Sequence, residues 1–166
     1  SVVRSFANLE KTIAVLARKP QIVDAADASP WKSKPPIDVI PQSEVEFKDV
    51  SFHYKSALKE SSAGVSGVSF RVDAGKVVAL VGRTGSGKST LMRLALRLYD
   101  ADSGSIYVDG QDISTLTQKS LRQNIGIVAQ ETILFNNTLR YNIAYGKSDA
   151  TEAEVWAAVR AAALGD

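Results

Sequence analysis

The sequence has no cysteine, which excludes disulfides, thiolate chemistry and cysteine-based metal sites. Charge of one sign is also scarce. Twenty Lys and Arg stand against 18 Asp and Glu, a formal net charge of +2, too little to argue for a nucleic-acid partner or an anionic membrane surface. No run approaches the roughly 18 uncharged apolar residues that a membrane-spanning helix requires. No initiator Met heads the chain and no charged-then-apolar leader pattern follows, so a piece of something larger, or a processed product, is expected. Internal repeats and low-complexity tracts are missing as well. What remains is ordinary globular usage: 166 residues, 45% apolar and 23% charged, enough for one domain with a core.

Along the chain, Phe6, Leu9, Ile13 and Leu16 recur at helical spacing, and residues 1–19 are predicted to form an amphipathic helix. Arg4, Glu10, Lys11 and Arg18 rule it out as a membrane span. Residues 20–43 hold all five prolines. Each removes a backbone donor and fixes one dihedral, so this stretch reads as an extended linker that packs poorly. A domain boundary is expected near residue 43. Beyond it, Val45, Phe47, Val50 and Phe52 roughly alternate, residues 55–66 read as a loop, and Val68, Phe70 and Val72 alternate again. The unbroken apolar run 77–81 predicts a strand covered on both faces, and residues 125–128 predict another. Between them come a helical face of Leu91, Leu94, Ala95 and Leu98, then a short strand over 105–108 ending in the turn signal Asp109-Gly110. Thr151 and Glu154 have capping-box spacing ahead of a helix with Val155, Trp156, Val159 and Ala162 on one side and Gly165 as its stop.

Gly82-Arg83-Thr84-Gly85-Ser86-Gly87-Lys88-Ser89 meets the phosphate-loop pattern at every fixed position. It also sits between an apolar run and an amphipathic helix, as that chemistry requires. A triphosphate must exchange its water for inward-pointing backbone N–H groups. A tight loop can offer these only at unusual dihedrals, which Gly82, Gly85 and Gly87 permit. The helix adds the positive end of its dipole. Lys88 supplies an ammonium for the β and γ phosphates, Ser89 a hydroxyl for Mg²⁺, and Thr90 a contact to the α phosphate. Arg83, Thr84 and Ser86 complete the candidate site.

The loop alone does not choose among GTPases, kinases, helicases and transporters. Its surroundings do. Residues 45–54, 98–100, 103–110, 121–122, 127–131 and 134–135 resemble the nucleotide-binding domain of ABC transporters, over about residues 44–166. The resemblance implies an α/β fold of the P-loop NTPase kind, an ABC-type ATPase domain that is truncated, with an antiparallel β subdomain and an N-terminal helix plus linker. It implies that Tyr54 stacks on adenine. Gln130 would stand at the family's glutamine loop, touching Mg²⁺ or the attacking water; Ala129 before it departs from the family's frequent proline. His53 is not the family's switch histidine and reads as a surface position. Arg83 and Arg122 read as solvated or structural. More narrowly, residues 109–113, 117–122 and 134–146 resemble the half-transporters of mitochondria and bacteria linked to heavy-metal tolerance, glutathione conjugates and iron–sulphur metabolism.

Several implications follow from the resemblance. The parent would be a membrane-bound ATPase and exporter, its ATPase domain on the cytoplasmic or mitochondrial matrix side of a bacterial or mitochondrial inner membrane. Its partners would be ATP, a transmembrane domain of the same chain ending in residues 1–19, and a second nucleotide-binding domain, most simply in a homodimer, with no nucleic acid. The family's signature motif, Asp-Glu strand end and switch histidine are not found, so this stretch alone is expected to bind nucleotide weakly and not to turn it over. The rival readings are a nucleotide-binding interaction module that never hydrolyses and a soluble ABC-type ATPase.

Overall fold

The computed structural model describes residues 9, 12, 13, 16, 17, 20, 22–32, 43–54, 63–131, 133–147 and 149–164. It divides into two compact units, Ser1–Gly126 and Ile127–Asp166.

In the first unit the alternating apolar residues form strands as expected: β1 (Val45–His53), β2 (Gly64–Val72), β3 (Ser103–Val108) and β4 (Gln111–Asp112). All pair antiparallel, in the order β2–β1–β3–β4. β2 starts inside the predicted loop over 55–66; residues 55–62 of that loop lie outside the described residues. The inward positions Phe47, Val50, Phe52, Ile106 and Val108 are buried, and Phe47 stacks on Phe70 at 4.5 Å across the β1–β2 pair. The register of β1 slips on both sides of Val50. There Asp49 takes a positive φ of 47°, and Gly104 (φ 77°) lies so close that a Cβ would stand 2.2 Å from the Asp49 carbonyl oxygen. Only glycine fits that crossing. The Asp109-Gly110 turn joins β3 to β4 with both residues at positive φ, the geometry of a tight two-residue hairpin.

The predicted helix is α1 (Lys88–Ala95), with Thr90, Leu91 and Leu94 buried. It stops earlier than the periodicity implies. Leu96 caps it, Arg97 turns left-handed at φ 49°, and Leu98 is left 46% exposed. A short 3₁₀ turn (Ile113–Thr115) and α2 (Gln118–Gln123) follow, neither anticipated from sequence. Asp112 and Thr117 cap them through their side-chain oxygens. Leu116 and Leu121 drop into the core beside Leu94.

Two strand expectations fail. Residues 77–81 and 125–128 form no strand, and Val77, Val81 and Val128 are 98%, 93% and 95% exposed. A strand needs a neighbour to take its N–H and C=O groups, and neither run meets one among the described residues. Part of the stretch expected to be a linker is described. Its described residues 22–32 pack: Trp31 is only 7% exposed within the core, and Ser29 forms a parallel bridge with Leu116. Ahead of it, residues 9, 12, 13 and 16 are helical, with Leu9, Ile13 and Leu16 exposed; Phe6 lies outside the described residues. No helix among the described residues is long and apolar enough to cross a membrane.

The second unit carries α3 (Leu139–Ala144), capped by Thr138, and α4 (Glu152–Ala161), where the predicted Thr151–Glu154 capping box forms in full. Val155 is buried, but Trp156, expected on the same side, is 52% exposed, because neighbouring helix positions point about 100° apart. Gly165 is outside the described residues. Asn142 fixes the loop ahead of α3, accepting from the Phe135 N–H at 2.7 Å and donating to the Phe135 and Thr138 carbonyls.

Candidate functional site

Residues 82–87 leave the exposed run over 77–81 and turn back into α1. The Ser86 N–H donates to the Arg83 carbonyl at 3.2 Å. Gly85 and Gly87 have φ of 84° and 90°, values that side-chain-bearing residues rarely adopt. A Cβ on Gly82 would stand 2.7 Å from Ser86 Oγ, and one on Gly87 would stand 2.4 Å from Val65 Cγ1 of β2. Gly87 is therefore needed twice over, for dihedral and for space, Gly85 for its dihedral, and Gly82 for its closeness to Ser86.

The loop presents donors without competing negative charge. Gly87 caps α1 and gives it no side-chain cap hydrogen bond, and the first turn holds no acidic residue. The opening N–H groups of a helix have no acceptor within it, so this end is suited to an anion. Lys88 folds back over the loop, its Nζ donating to the Gly82 and Arg83 carbonyls at 2.6 and 2.8 Å and to Ser86 Oγ at 3.4 Å. The ammonium thus sits at the loop's mouth, held by neutral oxygens that a phosphate can displace. Arg83, Thr84, Ser86 and Ser89 are exposed.

Ser89 is the second residue of α1. One exposed hydroxyl suits Mg²⁺, which keeps several waters and leans on phosphate oxygens. Among the described residues no three of His, Asp or Glu gather to hold an ion on their own, so the residues present fit an ion that arrives with a nucleotide.

Tyr54 directly follows β1 and is half-buried. Its ring meets Phe52 and Tyr99 edge-on at 4.9 and 5.3 Å. Its hydroxyl lies 3.3 Å from Thr90 Oγ1 and accepts from Arg93 Nη1 at 3.0 Å. Burial, the largest influence on the phenol, pushes its pKa up. The hydrogen bonds to Thr90 and Arg93 and the Arg93 charge together outweigh that and lower it. The fold thus brings Tyr54 to the helix that begins with Lys88. Thr90, proposed for phosphate, is buried and engaged with Tyr54. Arg93 was not legible as a partner of Tyr54, because 39 residues separate them and no local pattern links the two.

Gln130 is exposed in a bend of the second unit, Ile127–Asp166, whereas the loop belongs to the first. His53 is a surface residue, as read, its backbone N–H donating to Asp102 Oδ2 at 2.8 Å. Arg122 is structural: it donates to the Leu96 and Arg97 carbonyls at 3.0 and 2.6 Å, beyond the end of α1.

Comparison with known proteins agrees with this geometry. The fission yeast Schizosaccharomyces pombe has a "Heavy metal tolerance protein" 40% identical over 166 residues, which is 100% of this chain and 19% of that protein. In Arabidopsis thaliana, "ABC transporter B family member 24, mitochondrial" is 45% identical over 143 residues, 86% of this chain and 20% of that protein. The chain therefore spans about a fifth of the length of these relatives. The solved structure of a bacterial Atm1-family ABC exporter with ATP bound superposes with a TM-score of 0.79 at 38% identity, covering 98% of this chain and 27% of that one. The sequence model of the ABC transporter family matches residues 65–166. With the glycine loop, Lys88 and α1 all inside that match, the chain belongs to the ABC transporter family.

Proposed function

We propose that the full-length protein is an ABC exporter that couples ATP binding and hydrolysis to transport, and that this chain supplies its ATP-holding cradle. The observation that carries the reading is the Lys88 ammonium resting on the Gly82 and Arg83 carbonyls at the uncapped start of α1. The backbone of residues 82–90 wraps the phosphates, Lys88 neutralises the β and γ charges, and Thr90 approaches the α phosphate. Tyr54 stacks on adenine. Ser89 would offer its hydroxyl to Mg²⁺ arriving with the nucleotide, and the ion would supply charge neutralisation for the transferred phosphoryl group; Gln130 would be its glutamine-loop ligand. Gln130 orients the attacking water. Two such domains pair across two ATP molecules, most simply in a homodimer. Residues 1–19 continue from a transmembrane domain of the same chain, with the ATPase facing the cytoplasm or the mitochondrial matrix. The name of the fission-yeast relative favours cargo of the heavy-metal type, and the glutathione-conjugate type is proposed beside it from the sequence resemblance.

The test is ATP turnover and Mg-ATP affinity of the full-length protein. Lys88→Ala should lower turnover on the order of 10²-fold or more, the scale of losing one preorganised donor. Tyr54→Ala should weaken ATP binding by about 1–3 kcal/mol, the range for one base stacked on an aromatic ring. Unchanged turnover and affinity in Lys88→Ala would remove the loop from the site.

A further inference from the structure

The stretch predicted to be a loose linker is held to the domain by an ordered set of contacts, and these converge on the far end of the helix that begins with Lys88. Asp24 accepts from the Gln118 N–H at 3.0 Å and from Gln118 Nε2 at 3.0 Å, at the first residue of α2. Arg97 Nη1 reaches the same carboxylate at 3.4 Å. The Ser29 N–H donates to the Thr115 carbonyl at 3.0 Å, the Thr117 N–H to the Ser29 carbonyl at 2.9 Å, and the Trp31 N–H to Ser120 Oγ at 2.8 Å. The Gln118 amide, more than Arg97 or Arg122, holds the Asp24 carboxyl below the ordinary range against the effect of burial.

Arg97 is the unusual member of this set. Its side chain is only 4% exposed, and its backbone is left-handed at φ 49°, a conformation unfavourable for a residue with a side chain. It stands just past the end of α1 and binds three elements at once: Asp24 in the tether, Asp100 through Nε at 3.1 Å, and the Leu116 carbonyl at 2.6 Å. Arg122 ties the Leu96 and Arg97 carbonyls to Gln118 Oε1. Arg97 follows the last turn of α1, whose first turn begins at the phosphate loop. Held charge pairs and rigid elements of this kind carry coupling between sites.

We propose that residues 22–32 form a latch, in which Asp24 and Arg97 are positioning residues that couple the chain preceding the tether to the phosphate loop through α1. This rests on the reading of that loop as the ATP site. Neither residue touches nucleotide; they act through the orientation of Lys88.

The experiment compares the full-length protein with Asp24→Asn, which removes the charge at nearly constant shape. A second variant, Ser29→Pro, removes the N–H that bonds Thr115 while leaving every charge in place. Turnover, KM for ATP, thermal midpoint and the rate of limited proteolysis at Lys32 are read for each. The latch predicts faster cleavage in both variants, kcat lowered by roughly threefold to tenfold, KM for ATP within about twofold, and an unshifted thermal midpoint. Asp24→Glu, which restores the charge, should recover most of kcat. If Asp24→Asn fails to fold, Ser29→Pro decides alone. Faster cleavage with wild-type kcat overturns the latch, as does a loss of kcat that simply follows the thermal midpoint. A wild type that neither binds nor hydrolyses ATP overturns the proposed function as well, whereas an active wild type with indifferent variants overturns the latch alone.

Discussion

The alternating strands β1 and β3 and the unbroken apolar run over 77–81 end in opposite states. In the sheet, Val50 is 0% and Val108 4% exposed, and each strand has ladder partners. In the run, Val77 and Val81 stand almost wholly in solvent. The difference teaches that apolar composition creates a demand for cover but does not supply the neighbour. The sheet finds its neighbours within residues 45–112 through hairpin-like antiparallel returns. A run of the parallel-sheet type depends on strands arriving from elsewhere by crossover connections.

The largest expected break in this contrast comes from the covered side. Leu94→Ala, at a 0% exposed site beneath the sheet, should destabilise the first unit by about 2–5 kcal/mol, read by urea unfolding or by loss of amide-exchange protection in β1 and β3. Gly87→Ala comes next, since it forces a Cβ into Val65 at φ 90°. About 1–3 kcal/mol of backbone strain is expected, with lowered ATP affinity as the accompanying readout. Val81→Ser tests the uncovered side and should shift the stability of the 166-residue chain by no more than about 0.5 kcal/mol. A loss well above that would show that the run is already covered in solution.

The smallest effect concerns the second unit. The Lys147 ammonium, and after it the Thr151 N–H and hydroxyl, lower the Glu154 carboxyl to about 2. The unfolded chain protonates this group near its ordinary value of 4.5, so the native contacts favour the ionised form. Their contribution is complete above pH 4.5 and is lost as pH falls toward about 2. Helical signal from α4 should fade across that window, and Glu154→Gln should flatten the dependence. A pH profile identical in the two proteins would remove the capping box from the explanation.

Much of the site was legible beforehand because its requirements are local. The three glycines, Lys88 and Ser89 are spaced by what one loop and one helix turn need. The Thr151–Glu154 box and the Asp109-Gly110 turn were readable for the same reason, as each closes within four residues. Less legible were the end of α1 and the packing of the tether. Helical periodicity carries on through Leu98, but Arg97 turns left-handed where it meets Asp24, 73 positions away. Prolines mark residues 20–43 as extended, and extended they are around Ser29. An extended segment can still dock if a free edge lies beside it, and Leu116 offers one.

By itself the sequence determined the kind of loop that could form at residues 82–89, the alternation that makes β1 and β2, the short strand that becomes β3, and the caps that begin the last helix. These rest on dihedral permission and on hydrogen bonds between near neighbours. Only the tertiary structure decided that Tyr54 meets Thr90 and Arg93, that Trp31 belongs to the core, and that Asp24 and Arg97 face each other. Contacts across dozens of residues are set by which surfaces the whole chain brings together, and no local pattern encodes that.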